Sequence, residues 1–307
     1  MQSVVITGAD GFIGRNLVHY MSGKGVLVYA LVLANSPNIA KIKDLKNVII
    51  VQGDLLDWQS LAGKLLEGAD AFIHLAWAGV APDERNSIDV QKKNIDLCLN
   101  AVQLAAKIKA KKFILPGSTL EYAYCGTLIN DKALPLPQNA YGAVKIGMRY
   151  ICQELCHELQ LTYIYVVITS IYGADRIDNN VIFYTIKSLL NGDKPALTKL
   201  TQLWDYVHID DAVYALYLIA ESGRADAFYA VGHGDNWPLA NYIYAIRDLI
   251  NPDLPLGIGE IPYKDSRMLS SCVDLTALQK DTGFKPQVDF ETGIKRTIEQ
   301  LQKTGGE

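Results

Sequence analysis

Tyr141-Gly142-Ala143-Val144-Lys145 places a phenol and an ammonium four residues apart, so on a helix both share one face. A free phenol titrates at about pH 10 and handles protons poorly near neutrality, whereas a neighbouring cation favours its phenolate form. Such a pair holds a proton ready for a carbonyl oxygen while a hydride arrives at the carbon. The spacing alone does not identify a site, because Tyr20-Met21-Ser22-Gly23-Lys24 repeats it. The elements around each pair decide between them.

The chain has 307 residues, half of them apolar and a fifth charged, which is an ordinary globular composition with room for a large core. A net charge of −4 argues against a nucleic-acid binder, which needs a basic stripe. Val4 follows the start closely with no basic leader, and the longest apolar runs, such as Phe72 to Ala78, are too short to span a bilayer. The expectation is a cytoplasmic protein that engages no membrane. The five cysteines (Cys98, Cys125, Cys152, Cys156, Cys272) follow no framework spacing and read as reduced thiols. Cys152 and Cys156 share a helix face with no third ligand nearby, so they read as core and no metal site is expected.

The first half alternates strand and helix. Val4-Val5-Ile6 is an apolar strand, Thr7-Gly8-Ala9-Asp10-Gly11-Phe12-Ile13-Gly14 a glycine turn, and Asn16 to Met21 an amphipathic run. That order presents free backbone N–H groups and a helix N-terminus to a phosphate, and a Cβ would block either the turn or the ligand. Val26 to Leu33 reads as the second strand. An acid at its end would bond an adenosine ribose, but Ala34-Asn35-Ser36 follows, which favours NADP over NAD with Asn35 and Ser36 near the 2′-phosphate. Val48 to Val51, Ala71 to Leu75, Phe113 to Leu115 and Thr162 to Thr169 read as further strands, the fifth broken by Pro116-Gly117. Helices are expected from Gln91 to Lys107 and from Tyr141 to Leu159.

In an open parallel sheet, ligands bind beyond the carboxyl ends of the strands. Asp54, Ala76 and Ser118 all fall on that edge, and Tyr141 begins a helix facing it. Tyr20 and Lys24 lie at the far end of the first helix. Tyr141 and Lys145 are therefore the candidates, with Ser118 offering a hydroxyl from the neighbouring strand end, where a lone serine is otherwise a cap.

Thr7-Gly-x-x-Gly-x-x-Gly14, Asp54-Leu55, Ser118 and Tyr141-x-x-x-Lys145, in this order, resemble the extended short-chain dehydrogenase/reductases, which include sugar-nucleotide epimerases, dehydratases and reductases. The resemblance covers essentially the whole chain. It implies an α/β fold, a Rossmann-type doubly wound parallel sheet with a smaller mixed α/β substrate-binding lobe. It implies a dinucleotide held by Gly8, Gly11, Phe12, Ile13 and Gly14, with Asp54 and Leu55 at the adenine and Leu75, Ala76 and Trp77 along its length. Asn94 matches a structural or cofactor-proximal position, and Ser170 and Ile171 would pass near the nicotinamide. Ser118 would bond the reacting oxygen, Tyr141 exchange its proton, and Lys145 hold the nicotinamide ribose and lower the tyrosine pKa.

Departures from the family pattern narrow the reaction. Dehydratases follow the Ser/Thr with Asp-Glu, and here Thr119-Leu120 follow. Epimerase-reductases acting at C3 and C5 carry a cysteine where Leu120 stands. Gly117-Ser118-Thr119-Leu120-Glu121-Tyr122 resembles nucleoside-diphosphate 4-keto-6-deoxysugar reductases, leaving 4-ketoreduction as the reading and 4-epimerisation with NAD as the alternative. Thr119, Glu121, Asn180, Trp204 and Arg267 are the expected substrate contacts. Trp204 replaces a phosphate-binding arginine and reads equally as a stacking or a core residue, and Arg267 equally as a diphosphate ligand or a surface ion pair. Asp210 is expected to cap a helix from Ala212 to Ala220. Residues 1–172, with 206–224 returning, form the expected dinucleotide domain; 173–205 and 225–307 form the substrate lobe. Relatives suggest a homodimer through the helices bearing Asn94 and Tyr141.

Overall fold

All six apolar stretches expected as strands enter one parallel sheet. The structure, a computed structural model, describes residues 1–123, 125–173, 180–263 and 271–304. In order, the first part comprises β1 (Ser3–Thr7), α1 (Phe12–Gly23), β2 (Leu27–Val32), β3 (Val48–Gln52), α2 (Trp58–Ala62), β4 (Ala71–His74) and α3 (Ile88–Lys107), then β5 (Lys112–Ser118), α4 (Ala140–Glu158) and β6 (Thr162–Ile168). There follow β7 (Ser170–Tyr172), α5 (Val181–Leu190), β8 (Ala196–Leu197), β9 (Leu203–Trp204), β10 (Tyr206–His208), α6 (Ile209–Ser222) and β11 (Ala227–Val231). Last come β12 (Trp237–Pro238), α7 (Leu239–Ile250), β13 (Gly257–Ile258), α8 (Thr276–Thr282) and α9 (Phe290–Thr304).

The sheet order is β11-β6-β5-β4-β1-β2-β3. The chain walks outward from β1 through β2 to β3, then returns to β4 on the other side of β1, so β1 and β4 border the switch point where such sheets bind ligands. Both faces are covered, which is why the strands are nearly continuous apolar runs. On one face the sheet meets Leu17, Val18 and Met21 of α1, Leu216 of α6 and Leu278 of α8. On the other it meets Leu61 of α2, Cys98 and Val102 of α3, and Met148, Cys152 and Cys156 of α4. The second lobe has its own core, where Tyr206, Tyr242 and Phe290 pack with Ile182, Ile186 and Ile294. Among the described residues no helix is long and apolar enough to cross a membrane.

Four expectations about elements change. The fifth strand runs through Pro116 and Gly117 to Ser118. A proline survives there because β4 pairs with β5 only as far as Ile114, so no ladder bond is lost on that side. The sixth strand stops at Ile168, and Ser170–Tyr172 leaves the sheet to pair with Tyr206–His208. The return to the sheet extends past residue 224, because β11 pairs with β6 from Ala227 to Val231 and α8 packs beside it. The cap of α6 is His208 rather than Asp210. The His208 Nδ1 accepts the Asp210 N–H at 3.2 Å, leaving Asp210 as an exposed acid in the first turn, where the helix dipole favours it.

Gly117 is fixed by what lies against it. A Cβ there would run into the Tyr165 hydroxyl and approach Glu121 Oε1 to 2.6 Å. Gly117→Ala is expected to cost about 2 kcal/mol of unfolding free energy in urea, as overpacking does. Gly63→Ala, where nothing lies within 4 Å, serves as the near-neutral control. Equal effects at both positions would show that the crowding at Gly117 is relieved without cost.

Candidate active site

The glycine turn leaves β1 at the carboxyl edge. Gly8 holds φ +62°, and a Cβ on it would lie 2.8 Å from the Ala76 N, at the end of β4. A Cβ on Gly14 would strike the Gly8 carbonyl and come within 2.8 Å of Ala9 Cα. These two glycines therefore let the helix approach the strand closely. Gly11 does something else: it is exposed and N-caps α1, so a helix N-terminus faces outward beside half-buried Phe12 and Ile13. That is a cradle for a pyrophosphate. Along the same edge, the buried Thr169 hydroxyl at the end of β6 has no hydrogen-bond partner among the described residues. The residues present fit a dinucleotide.

At the end of β2, Leu33, Ala34 and Asn35 are exposed, and Ser36 caps a short 3₁₀ turn by accepting the Asn38 N–H at 3.4 Å. Asp54 is exposed beyond β3 and accepts the Leu56 N–H at 3.0 Å. Leu55 is a correction: its side chain is in the core, 3% exposed, packed with α2 and α3, and cannot line an adenine.

The segment after β4 is tied to both neighbours. The Ala76 N–H donates to Thr7 Oγ1 at 3.2 Å, and that hydroxyl also bonds His74 Nδ1 at 2.9 Å. Asn94 is fully buried and clamps Ala78, accepting its N–H and donating to its carbonyl, each at 2.9 Å. Its amide is thus spent on holding the loop rather than on a ligand. Gln91, which the sequence reading passed over, completes the clamp. It accepts from Asn94 Nδ2 at 3.1 Å and from the Trp77 indole N–H at 3.3 Å, and donates to the Gly79 carbonyl at 3.3 Å. The available signal was an amide one helical turn before Asn94 on an otherwise apolar face.

Tyr141 and Lys145 of α4 lie against Trp77 of this loop, and Lys145 reaches the end of β5 that carries Ser118. Asn139 caps α4 by accepting the Gly142 N–H at 2.9 Å, and the Tyr141 N–H donates to the Arg85 carbonyl at 2.9 Å. Gly142 lets the helix press on the turn after β5, since a Cβ would lie 2.6 Å from the Leu120 carbonyl. One turn on, Lys145 Nζ donates to the Pro116 carbonyl at 2.8 Å, two residues before Ser118. The ammonium is 3.7 Å above the centre of the Trp77 ring and 5.7 Å from that of Tyr141, and the two rings meet edge to face at 5.8 Å. Lys145 is only 7% exposed, and burial pulls its ammonium down to about 8, against the Cys98 thiol, Glu121 and the Cys152 thiol, which favour the charge. Ser118 N-caps the turn Thr119–Glu121, accepting the Leu120 N–H at 3.3 Å, which leaves its hydroxyl proton to donate.

Glu121, Trp204 and Asn180 make contacts within the fold. Glu121 is a correction: it is fully buried, with one oxygen accepting the Ser118 N–H at 2.6 Å and the other the Tyr165 hydroxyl at 2.7 Å, so it holds the serine turn and contacts no substrate. Thr119 is half-buried on the same turn. The Trp204 indole donates to Ser170 Oγ at 2.9 Å, tying the second lobe to the strand that carries Ile171. Asn180 caps α5 through the Phe183 N–H at 3.0 Å. Arg267 lies outside the described residues. Tyr20, from the decoy motif, packs against Tyr214 and Tyr217 of α6, away from the sheet's carboxyl edge. Among the described residues no three His, Cys, Asp or Glu side chains gather as metal ligands.

Burial pushes the Glu121 carboxyl up to about 7, against the opposing pull of its two hydrogen bonds and of Lys145 and Arg149. The folded protein therefore keeps a proton that the unfolded chain loses near its ordinary value of 4.5. The stability this group lends is full below 4.5 and falls away as pH rises through about 7. Between pH 5 and 8, Glu121→Gln is expected to lose less unfolding free energy than the wild type, by on the order of 2 kcal/mol. Urea titrations at both pH values measure it; parallel slopes would mean the carboxyl is ionised throughout.

Comparison with known proteins agrees with the geometry. The NAD dependent epimerase/dehydratase family matches residues 4–232. A dTDP-D-glucose 4,6-dehydratase of Dictyostelium discoideum is 28% identical over 257 residues, 76% of this chain, which spans 58% of that relative's length. A CDP-abequose synthase of Salmonella typhimurium is 24% identical over 317 residues, covering 97% of this chain and 98% of the relative. A solved UDP-glucuronic acid 4-epimerase from Bacillus cereus, in complex with UDP-glucuronic acid and NAD, shares the fold with a TM-score of 0.85 at 17% identity, covering 99% of this chain and 100% of that one. With the family match spanning most of the chain and its glycine turn, serine, tyrosine and lysine on one sheet edge, the chain belongs to the NAD-dependent epimerase/dehydratase family of extended short-chain dehydrogenase/reductases and is an NAD(P)-dependent enzyme of that type.

Proposed function

We propose that the protein reduces the 4-keto group of a nucleotide-linked 4-keto-6-deoxysugar with NADPH. The observation that carries this is the grouping of Tyr141 and Lys145 on α4 beside the strand end that carries Ser118, whose turn continues as Thr119-Leu120 with no acid–base pair for water elimination. The bound dinucleotide supplies the hydride. Tyr141 gives its phenolic proton to the oxygen that becomes a hydroxyl, and Ser118 donates a hydrogen bond to that oxygen from a position set by its cap. The Lys145 ammonium lowers the phenol's pKa and holds the nicotinamide ribose. The glycine turn takes the pyrophosphate, and the absence of an acid after β2 leaves room near Asn35 and Ser36 for a 2′-phosphate. Likeness to a CDP-abequose synthase over nearly its full length supports a CDP- or dTDP-linked sugar.

The second reading is a 4-epimerase retaining NAD, supported by the fold shared with a UDP-glucuronic acid 4-epimerase. The two part on net turnover. Addition of dTDP- or CDP-4-keto-6-deoxyglucose should oxidise NADPH stoichiometrically, and Tyr141→Phe should slow this by at least about a hundredfold. Tightly held NAD released on denaturation, with interconversion of a nucleotide sugar and no net redox change, would replace the reductase by the epimerase. Exposed Tyr150 and Ile151 on α4 support pairing of two copies through α3 and α4. Sedimentation should then give a dimer that Ile151→Glu weakens, whereas a wild-type monomer would remove that proposal.

A further inference from the structure

Trp77 does more at this edge than line a groove. Its half-buried indole lies with one face under the Lys145 ammonium, 3.7 Å from ring centre to Nζ, and meets the Tyr141 ring in a T-shaped contact with centroids 5.8 Å apart. The indole N–H is anchored to Gln91, itself 1% exposed and bonded to Asn94 and Gly79, so the ring's orientation is fixed from α3. Gly79, at φ +68°, allows the approach, because a Cβ there would come within 2.8 Å of Gln91 Nε2.

We propose that Trp77 is a positioning residue for the acid–base pair: its π face keeps the buried Lys145 ammonium charged and in place, and its T-shaped contact sets the angle of the Tyr141 phenol. The inference rests on the reading of Tyr141 and Lys145 as that pair. The physics follows from what an ammonium needs. It has three donors and has been taken out of water, and one donor is satisfied by the Pro116 carbonyl. A desolvated cation over an indole gains enough to shift its titration by about one unit. Tryptophan suits the place because its ring has the strongest π field of the aromatic side chains and also carries the N–H that Gln91 holds.

The other groups facing Lys145 act on it too. Glu121 comes from the turn after β5, Cys98 from α3, and Cys152 and Tyr141 from α4, while His74 on β4 bears on Cys98. Glu121 and the thiols favour the charged amine, while burial opposes it. Trp77 adds to the first group through the face of its ring, 3.7 Å from Nζ. Loss of its face therefore moves the Lys145 titration downward from about 8.

The test reads Lys145 itself, in protein without cofactor or substrate. Trace acylation across pH 6 to 11, quantified on the peptide carrying Lys145 by mass spectrometry, gives its titration directly. Trp77→Leu should lower the midpoint by about one unit, so the free-amine fraction at pH 7 rises about fivefold. Trp77→Phe, which keeps a π face, should restore most of the wild-type midpoint, and Gln91→Leu, which frees the indole, should fall between. Easier access alone would raise the rate equally at every pH and leave the midpoint in place. An unmoved midpoint in folded Trp77→Leu overturns the proposal, as does one that Trp77→Phe fails to restore. If Trp77→Leu does not fold, Gln91→Leu and Trp77→Phe decide by the same midpoints, and values matching the wild type in both overturn it. A shifted midpoint in protein that turns over no keto sugar supports Trp77 in this role while counting against the substrate reading alone.

Discussion

A buried ammonium is the constraint on which the site depends. Lys145 is 7% exposed beneath the edge of a parallel sheet, where an uncompensated charge is costly. What surrounds it answers that cost: the Pro116 carbonyl, the face of Trp77 and the carboxyl of Glu121. The same burial that pulls Lys145 down to about 8 pushes Glu121 up to about 7, so both groups titrate close to neutrality.

The scaffold supplies this arrangement through a few close approaches. The switch point between β1 and β4 opens a crevice, and Gly8 lets the glycine turn lie against Ala76 at its wall. Gly142 seats the start of α4 on the carbonyl of Leu120, which fixes Tyr141 and Lys145 relative to Ser118. Gly117 leaves space for Glu121 and Tyr165 to meet, and their bond holds the serine turn. Asn94 and Gln91 fasten the loop after β4 from α3, completing the wall opposite.

Much of this was legible in the sequence because it is periodic or because glycine spacing encodes it. The alternation of strands and helices, the turn from Thr7 to Gly14, and the placing of Tyr141 above Tyr20 needed only patterns and the rule that ligands gather at strand carboxyl ends. What escaped depends on contacts between distant segments. Glu121 looked like a cleft residue, yet a tyrosine 44 residues away buries it. Leu55 follows an exposed Asp54 but turns inward to α2 and α3. Proline at 116 suggested a broken strand, and only the early end of β4 pairing explains its tolerance. His208 captures a cap that local composition gives to Asp210, because β10 delivers its imidazole to the helix start. Gln91 carried a signal in the apolar face of α3, but its meaning required Trp77 across the loop.

The convergence of serine, tyrosine and lysine on the transferable hydrogen of a dinucleotide is tested most directly by a crystal structure of the NADPH complex. The expected result has the pyrophosphate on the backbone at Gly11 and Phe12, the nicotinamide ribose bonded to Lys145, and the hydroxyls of Ser118 and Tyr141 facing one point above the ring. A dinucleotide seated elsewhere, or a nicotinamide out of reach of Tyr141, would contradict it.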